Sequence, residues 1–156
     1  MSAAVQWVDP AAEEDRVIAR ALEILTRRHA RGKPLTAPDV TRAYLRLWLA
    51  ERPGEIFGAI FLDTQNRVLA CEELFTGTID AAQVYPRVVA QRALQHNAAA
   101  LIVFHNHPSG VAEPSRADEC LTHRLKDGLQ LLDLRLLDHF VVSAEGSVSM
   151  AERGIL

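Results

Sequence analysis

Ala100-Leu101-Ile102-Val103-Phe104-His105-Asn106-His107-Pro108-Ser109-Gly110 is the stretch whose reading decides the fold. Its first half is an apolar, partly β-branched run of strand length. Its second half is a polar loop with a proline and a glycine. Residues i and i+2 of a strand share a face, so His105 and His107 point the same way. Downstream, Pro114-Ser115-Arg116-Ala117-Asp118 reads as a helix start, with Ser115 as N-cap and Asp118 at the third helical position. An aspartate in a first helical turn can face back over the loop toward the strand end. Two imidazoles and one carboxylate then make three metal ligands. A fourth tetrahedral position is left to water, the layout of a catalytic rather than a structural zinc site.

The ligand set favours zinc, because calcium and magnesium prefer oxygen ligands. Water bound to such an ion has its pKa lowered to about 7. The chemistry also needs a base, for which Glu55, Glu72, Glu73 and Glu113 are candidates. Spacing does not choose among them. The letters His-Asn-His coincide with the name of a nuclease class defined by dispersed residues, and carry no weight.

Working outward, residues 115–132 predict a helix with Cys120, Leu121, Leu125 and Leu129 inward. Residues 134–143 predict a strand on which Asp138 and His139 read as a buried hydrogen-bonded pair, with support of the metal ligands from behind as the alternative. Ala144-Glu145-Gly146 is a turn before a short final strand, 147–150. Upstream of the histidines, 84–97 suits a helix with Val84, Val88, Ala93 and Leu94 partly buried. His96 and His123 fall on helices and read as surface or satisfied groups. Ile56–Leu62 and Arg67–Phe75 predict a hairpin around the turn Asp63-Thr64-Gln65-Asn66.

Two helices precede it. The first covers 11–31 and stops at Gly32-Lys33-Pro34; the second runs to about Ala50, with Thr36 as N-cap and Val40, Tyr44, Leu47 and Trp48 inward. Pro53-Gly54 divides an N-terminal helical arm, 1–52, from the main domain, 53–156. Alternating helices and strands place the chain in the α/β (α+β) class with a mixed sheet.

A length of 156 residues suits one domain with a real core. The 17 Lys and Arg against 20 Asp and Glu leave a net charge of −3, so no global footprint for nucleic acid is present. Arg27, Arg28, Arg31 and Lys33 form the most basic segment, and their place at a helix end complements the macrodipole. Arg87, Arg92, Arg116 and Arg124 are the residues available to line a cleft for DNA. Cys71 and Cys120, without a CxxC, form neither a disulfide framework nor a zinc knuckle. Neither a signal peptide nor a membrane-spanning run is expected, which points to a soluble cytoplasmic protein with no membrane partner. The helical arm has apolar faces that pack on the same chain or on a neighbouring copy, so a homo-oligomer is compatible.

The pattern HxHPxG followed by SxxD resembles the JAMM metal-binding signature of JAB/MPN domains. The longer string from His105 to Gly110, with Pro114 to Asp118, narrows the resemblance to the RadC family. Phe75-Thr76-Gly77-Thr78, Tyr85-Pro86-Arg87, Ala93-Leu94 through Asn97-Ala98-Ala99-Ala100, Leu137-Asp138-His139 and Ala151-Glu152-Arg153-Gly154 match as well, so the resemblance spans about 36–156. The chain resembles the short, RadC-like form without an N-terminal helix-hairpin-helix region. One departure is Val88, which stands where the family usually has a glutamate.

The resemblance implies a JAB/MPN fold, a curved mixed sheet flanked by helices in a cytidine-deaminase-like layout. It implies one Zn2+ held by His105, His107 and Asp118. It implies Glu55 as general base, since that residue opens a strand upstream of the motif, and Ser115 as support for the tetrahedral intermediate. The implied activity is a metallohydrolase (metallopeptidase or isopeptidase) acting on a peptide or protein. A DNA-repair or DNA-associated role and a non-catalytic MPN interaction module are the alternatives.

Overall fold

The computed structural model describes residues 10–31, 35, 37–49, 52–77 and 83–156. In chain order its elements are α1 (Pro10–Arg31), α2 (Pro38–Leu49), β1 (Ile56–Leu62), β2 (Val68–Thr76), α3 (Pro86–Gln95), β3 (Ala100–Asn106), α4 (Arg116–Gln130), β4 (Arg135–Val142) and β5 (Ser147–Ser149). The strands form one sheet in the order β2-β1-β3-β4-β5. β1 runs antiparallel to both β2 and β3, β3 runs parallel to β4, and β5 returns antiparallel to β4. The parallel pair needs a crossover, which α4 supplies. This is the expected mixed α+β architecture, consistent with a JAB/MPN-like fold.

Both central strands are buried along their whole length, which is why they read as continuous apolar runs. Alternate side chains feed two cores. Ile60, Leu62, Ile102, Phe104, Phe140 and Val142 pack with Leu35, Tyr44, Leu45 and Leu49 on the α2 side. Phe57, Ala59, Phe61, Leu101 and Val103 pack with Val89, Ala93, Leu125 and Leu129 on the side of α3 and α4. Each fully buried Leu, Ile or Phe contributes about 1.5–3 kcal/mol. Gly58 is required where it stands, because a Cβ there would lie 2.4 Å from the Phe104 ring and 2.6 Å from the Glu72 carbonyl oxygen.

The hairpin between β1 and β2 forms as expected. The Asp63 side chain accepts from the backbone N–H groups of Gln65 (2.8 Å) and Arg67 (2.9 Å), and Asn66 takes a φ of 59°. The helix faces differ from expectation. On α2 the buried residues are Thr41, Tyr44, Leu45 and Leu49, while Val40 is exposed and Trp48 packs at the margin. On α3 they are Val89, Ala90 and Ala93, and Leu94 is 56% exposed. Pro86 starts α3 and sets its phase. On α4 they are Asp118, Thr122, Leu125 and Leu129, with Cys120 exposed. That stripe has helical spacing, but its first two members are polar, so an apolar count misses it. The Gly32-Lys33-Pro34 stop and the Thr36 cap lie outside the described residues. No helix of the described residues is long and apolar enough to cross a membrane.

Candidate metal centre

The site is built where β3 ends. His105 is its penultimate residue and is 1% exposed; His107 follows directly. The His107 N–H donates to the Val142 carbonyl at 2.8 Å, tying the loop to the end of β4. The chain then turns from His107 to Gly110, closed by a 3.2 Å bond from the Gly110 N–H to the His107 carbonyl. Pro108 sits second in that turn, and Gly110 takes a φ of +92°, which only glycine adopts without strain. The turn brings the Val111 carbonyl within 2.9 Å of His107 Nδ1. A carbonyl can only accept, so Nδ1 carries the proton and Nε2 presents its lone pair.

Asp118 arrives from α4. Ser115 caps that helix, accepting from the Asp118 N–H at 3.1 Å. In return the Ser115 N–H and hydroxyl each donate to Asp118 Oδ2 at 2.7 Å. This capping box stops the carboxylate rotating and leaves it over the strand end. Burial opposes ionisation of Asp118, but hydrogen bonds and charge from His105, with the bonds from Ser115, hold its carboxyl well below the usual carboxylate range.

The ligand atoms converge. His105 Nε2 and His107 Nε2 are 3.0 Å apart, and the Asp118 oxygens lie 3.4 Å from the first and 3.7 Å from the second. A tetrahedral ion with bonds of about 2.0–2.1 Å has ligand-to-ligand edges of about 3.3–3.4 Å. The nitrogen pair at 3.0 Å and the His105 to Asp118 Oδ1 separation at 3.4 Å lie close to that edge, so the donor set fits a zinc-sized ion, and His105, His107 and Asp118 could hold one.

A cavity of about 440 Å³ opens over His105 and Asp118. Phe57, Phe75, Val84, Tyr85 and Leu121 supply apolar walls, and Glu55 and Arg124 supply charge. Glu55 is the one of the four candidate bases among its lining residues. Glu72 is engaged by Arg92 (2.5 Å) and His96 (2.6 Å), Glu73 by Arg52 (2.5 Å) and Glu113 by Arg153 (2.5 Å). Of the four arginines considered for DNA, Arg124 reaches the cavity, whereas Arg92 is committed to Glu72. Neither cysteine takes part. Cys71 is free, its thiol pushed up to about 12, chiefly by burial, and Cys120 is free on the surface.

With the geometry in hand, comparison with known proteins agrees with it. The profile of the family described as "RadC-like JAB domain" matches residues 35–155. This chain belongs to that family. Among curated relatives, a "UPF0758 protein" of Halorhodospira halophila is 58% identical over 141 residues, covering 87% of this chain and 62% of its own. One of Nitrosococcus oceani is 60% identical over 126 residues, 81% of this chain and 56% of its own. One of Methylibium petroleiphilum is 54% identical over 154 residues, 97% of this chain and 69% of its own. The chain spans about three fifths of the length of the first two.

Within this RadC-like JAB domain, sequence reasoning missed Thr122 and Asn106 and ranked the supporting role of His139 second. Asp138 and His139 are a buried hydrogen-bonded pair, the His139 N–H donating to Asp138 Oδ1 at 2.7 Å, but their side chains face opposite sides of the strand. The Asp138 carboxylate takes the Ser149 hydroxyl at 2.5 Å and the Ala151 N–H at 3.0 Å. Burial raises its pKa, those bonds partly opposing. His139 faces the ligands instead. Its Nε2 is 2.8 Å from His105 Nδ1, and its Nδ1 is 2.6 Å from the Thr122 hydroxyl. Burial, then the nearby His105, pushes the His139 pKa well below the ordinary histidine value. Asn106, between the two ligands, points to the other face. Its Oδ1 accepts from the Ile56 N–H at 2.6 Å, and its Nδ2 donates to the Gly54 carbonyl at 2.9 Å. It thereby clips the segment carrying Glu55 against the strand end. The signal for His139 and Thr122 is polarity at positions facing a core; for Asn106 it is a polar residue on an otherwise buried strand.

Proposed function

We propose that this chain is a metal-dependent hydrolase of amide or isopeptide bonds in a peptide or protein, with one zinc ion held by His105, His107 and Asp118. The observation that carries the reading is the convergence of those three side chains, two of which, His105 and Asp118, line a cavity that also has apolar walls and the Glu55 carboxylate. When bound, the ion supplies a Lewis acid for the carbonyl and lowers the pKa of a water toward neutrality. Glu55 lines the same cavity, and its role is to take the proton of the attacking water and return it to the leaving amine. Ser115 orients Asp118 through its two bonds to Oδ2. Turning its hydroxyl from Asp118 to the developing oxyanion gives that group a second role. Phe57, Phe75, Val84 and Leu121 keep water away from the reacting bond and bind apolar side chains of the substrate. The free thiols of Cys71 and Cys120 suit a reducing compartment, so we place this activity in the cytoplasm.

Metal analysis and a peptide-library digest test this together. Wild type is expected to carry one zinc per chain and to cleave peptides, and His107→Ala to lose both. Glu55→Gln is expected to keep the zinc and lose cleavage. No zinc in wild type, with His107→Ala unchanged in metal content, would overturn the proposal.

A further inference from the structure

Thr122 and His139 sit behind the ligands, outside the cavity lining but in contact with two of its members, Asp118 and His105. Thr122 is fully buried on α4, and His139 is fully buried on β4. Proton positions along this chain of contacts follow from chemistry alone. The Thr122 hydroxyl lies 2.6 Å from the main-chain carbonyl of Asp118, one turn back. A carbonyl has no hydrogen, so the single hydroxyl proton of Thr122 lies in that contact. The Met150 sulfur, 3.1 Å away, is a weak acceptor and does not compete with the carbonyl for it.

The Thr122 oxygen is also 2.6 Å from His139 Nδ1. Its own proton is spent, so the hydrogen in this second contact belongs to His139 Nδ1. A neutral imidazole protonated on Nδ1 is bare on Nε2. That bare nitrogen faces His105 Nδ1 at 2.8 Å, so His105 must supply the hydrogen there. A neutral His105 is then bare on Nε2, the atom that faces His107 and Asp118.

We infer that Thr122 and His139 are positioning residues that set the tautomer of His105, so that its Nε2 lone pair is presented to the metal. The relay begins on the main chain of one ligand, Asp118, and ends on another, His105. It couples the helix that carries the carboxylate to the strand that carries the imidazole. His107 has no such relay; its tautomer comes from the Val111 carbonyl in its own loop. The unusual element is the acceptor behind His105. A carboxylate or carbonyl in that place would accept whatever its surroundings did. A neutral histidine accepts only while something else holds its other proton, and that is the task of Thr122.

The inference rests on the metal reading for its purpose but not for its test. Long-range 1H–15N correlation spectra of the metal-free protein at neutral pH read imidazole tautomers directly. Wild type is expected to show both His105 and His139 protonated on Nδ1. In Thr122→Val, which keeps shape and removes the acceptor, His139 is expected to move its proton to Nε2 and drive His105 to the Nε2–H form. Zinc affinity, measured by chelator competition, is then expected to fall by about 10–100-fold. Thr122→Ser is expected to restore both the spectrum and the affinity. A His105 Nδ1 without a proton in metal-free wild type overturns the inference. So does a Thr122→Val protein with wild-type tautomers and affinity. Should Thr122→Val not fold, the wild-type spectrum decides alone. Wild-type tautomers as expected in a protein that takes up no zinc would sink the metal reading and leave the relay standing.

Discussion

Replacing Asn106 by alanine separates the scaffold of the site from its ligands. Asn106 is 6% exposed and spends both ends of its amide on the backbone where β1 begins, at Gly54 and Ile56. In Asn106→Ala the Gly54 carbonyl regains water, because Gly54 is exposed. The Ile56 N–H does not, because Ile56 is 6% exposed. One buried donor left without a partner costs about 1–3 kcal/mol. The truncated side chain also leaves a small void, and together we expect a loss of about 2–3 kcal/mol. For a domain of this size each kcal/mol moves the melting temperature by about 2–4 °C. The midpoint should fall by roughly 4–12 °C in a calorimetric scan. Zinc content should stay near wild type, since His105, His107 and Asp118 keep their own supports. Turnover should fall, since the segment bearing Glu55 loses its clip. Asn106→Asp adds a check with a defined sign. At neutral pH the carboxylate faces the Gly54 carbonyl as a second acceptor and destabilises. As pH falls and the acid takes up a proton it can donate as the amide did, so the deficit should shrink toward low pH. An Asn106→Ala protein that melts with wild type would refute the clip.

Gly58→Ala should cost about 1–3 kcal/mol in urea unfolding, because its Cβ would meet Phe104 and the Glu72 backbone inside normal contact distance; equal stability would show that the two strands part freely there. Adding a chelator should lower the melting temperature of wild type and leave His107→Ala unmoved, since a ligand bound only to the native state stabilises it. The Glu72 carboxyl is held below its ordinary value by the Arg92 hydrogen bond, with burial opposing and His96 helping. Its contribution is therefore complete above the ordinary carboxylate pKa of about 4.3 and fades as pH falls through the lowered native value. Glu72→Gln should lose about 1 kcal/mol or less at pH 7 and show a flatter acid limb, read by urea midpoints from pH 2 to 7.

What could be read locally came through well. The strand at 100–106, the hairpin turn at Asp63, and the cap at Ser115 each depend on residues a few positions apart, and all formed as expected. Helix phase was read less well. On α4 the expected inward residues Leu125 and Leu129 are buried, but Asp118 and Thr122 complete their stripe where Cys120 and Leu121 were expected. Apolar counting cannot see a buried face whose purpose is polar.

The sequence by itself determined which three side chains come together as a candidate metal site. Strand periodicity puts His105 and His107 on one face, and a first-turn aspartate behind a serine cap has few places to point. Only the tertiary structure decided what stands behind those ligands. His139 meets His105 because β4 lies beside β3 in a particular register, opposite Val103, and Thr122 meets His139 because α4 crosses both. Asn106 reaches Ile56 because β1 runs antiparallel beside β3. These contacts join residues 17, 34 and 50 positions apart. Their partners follow from sheet order and register, which the packing of two whole cores selects and no local pattern encodes.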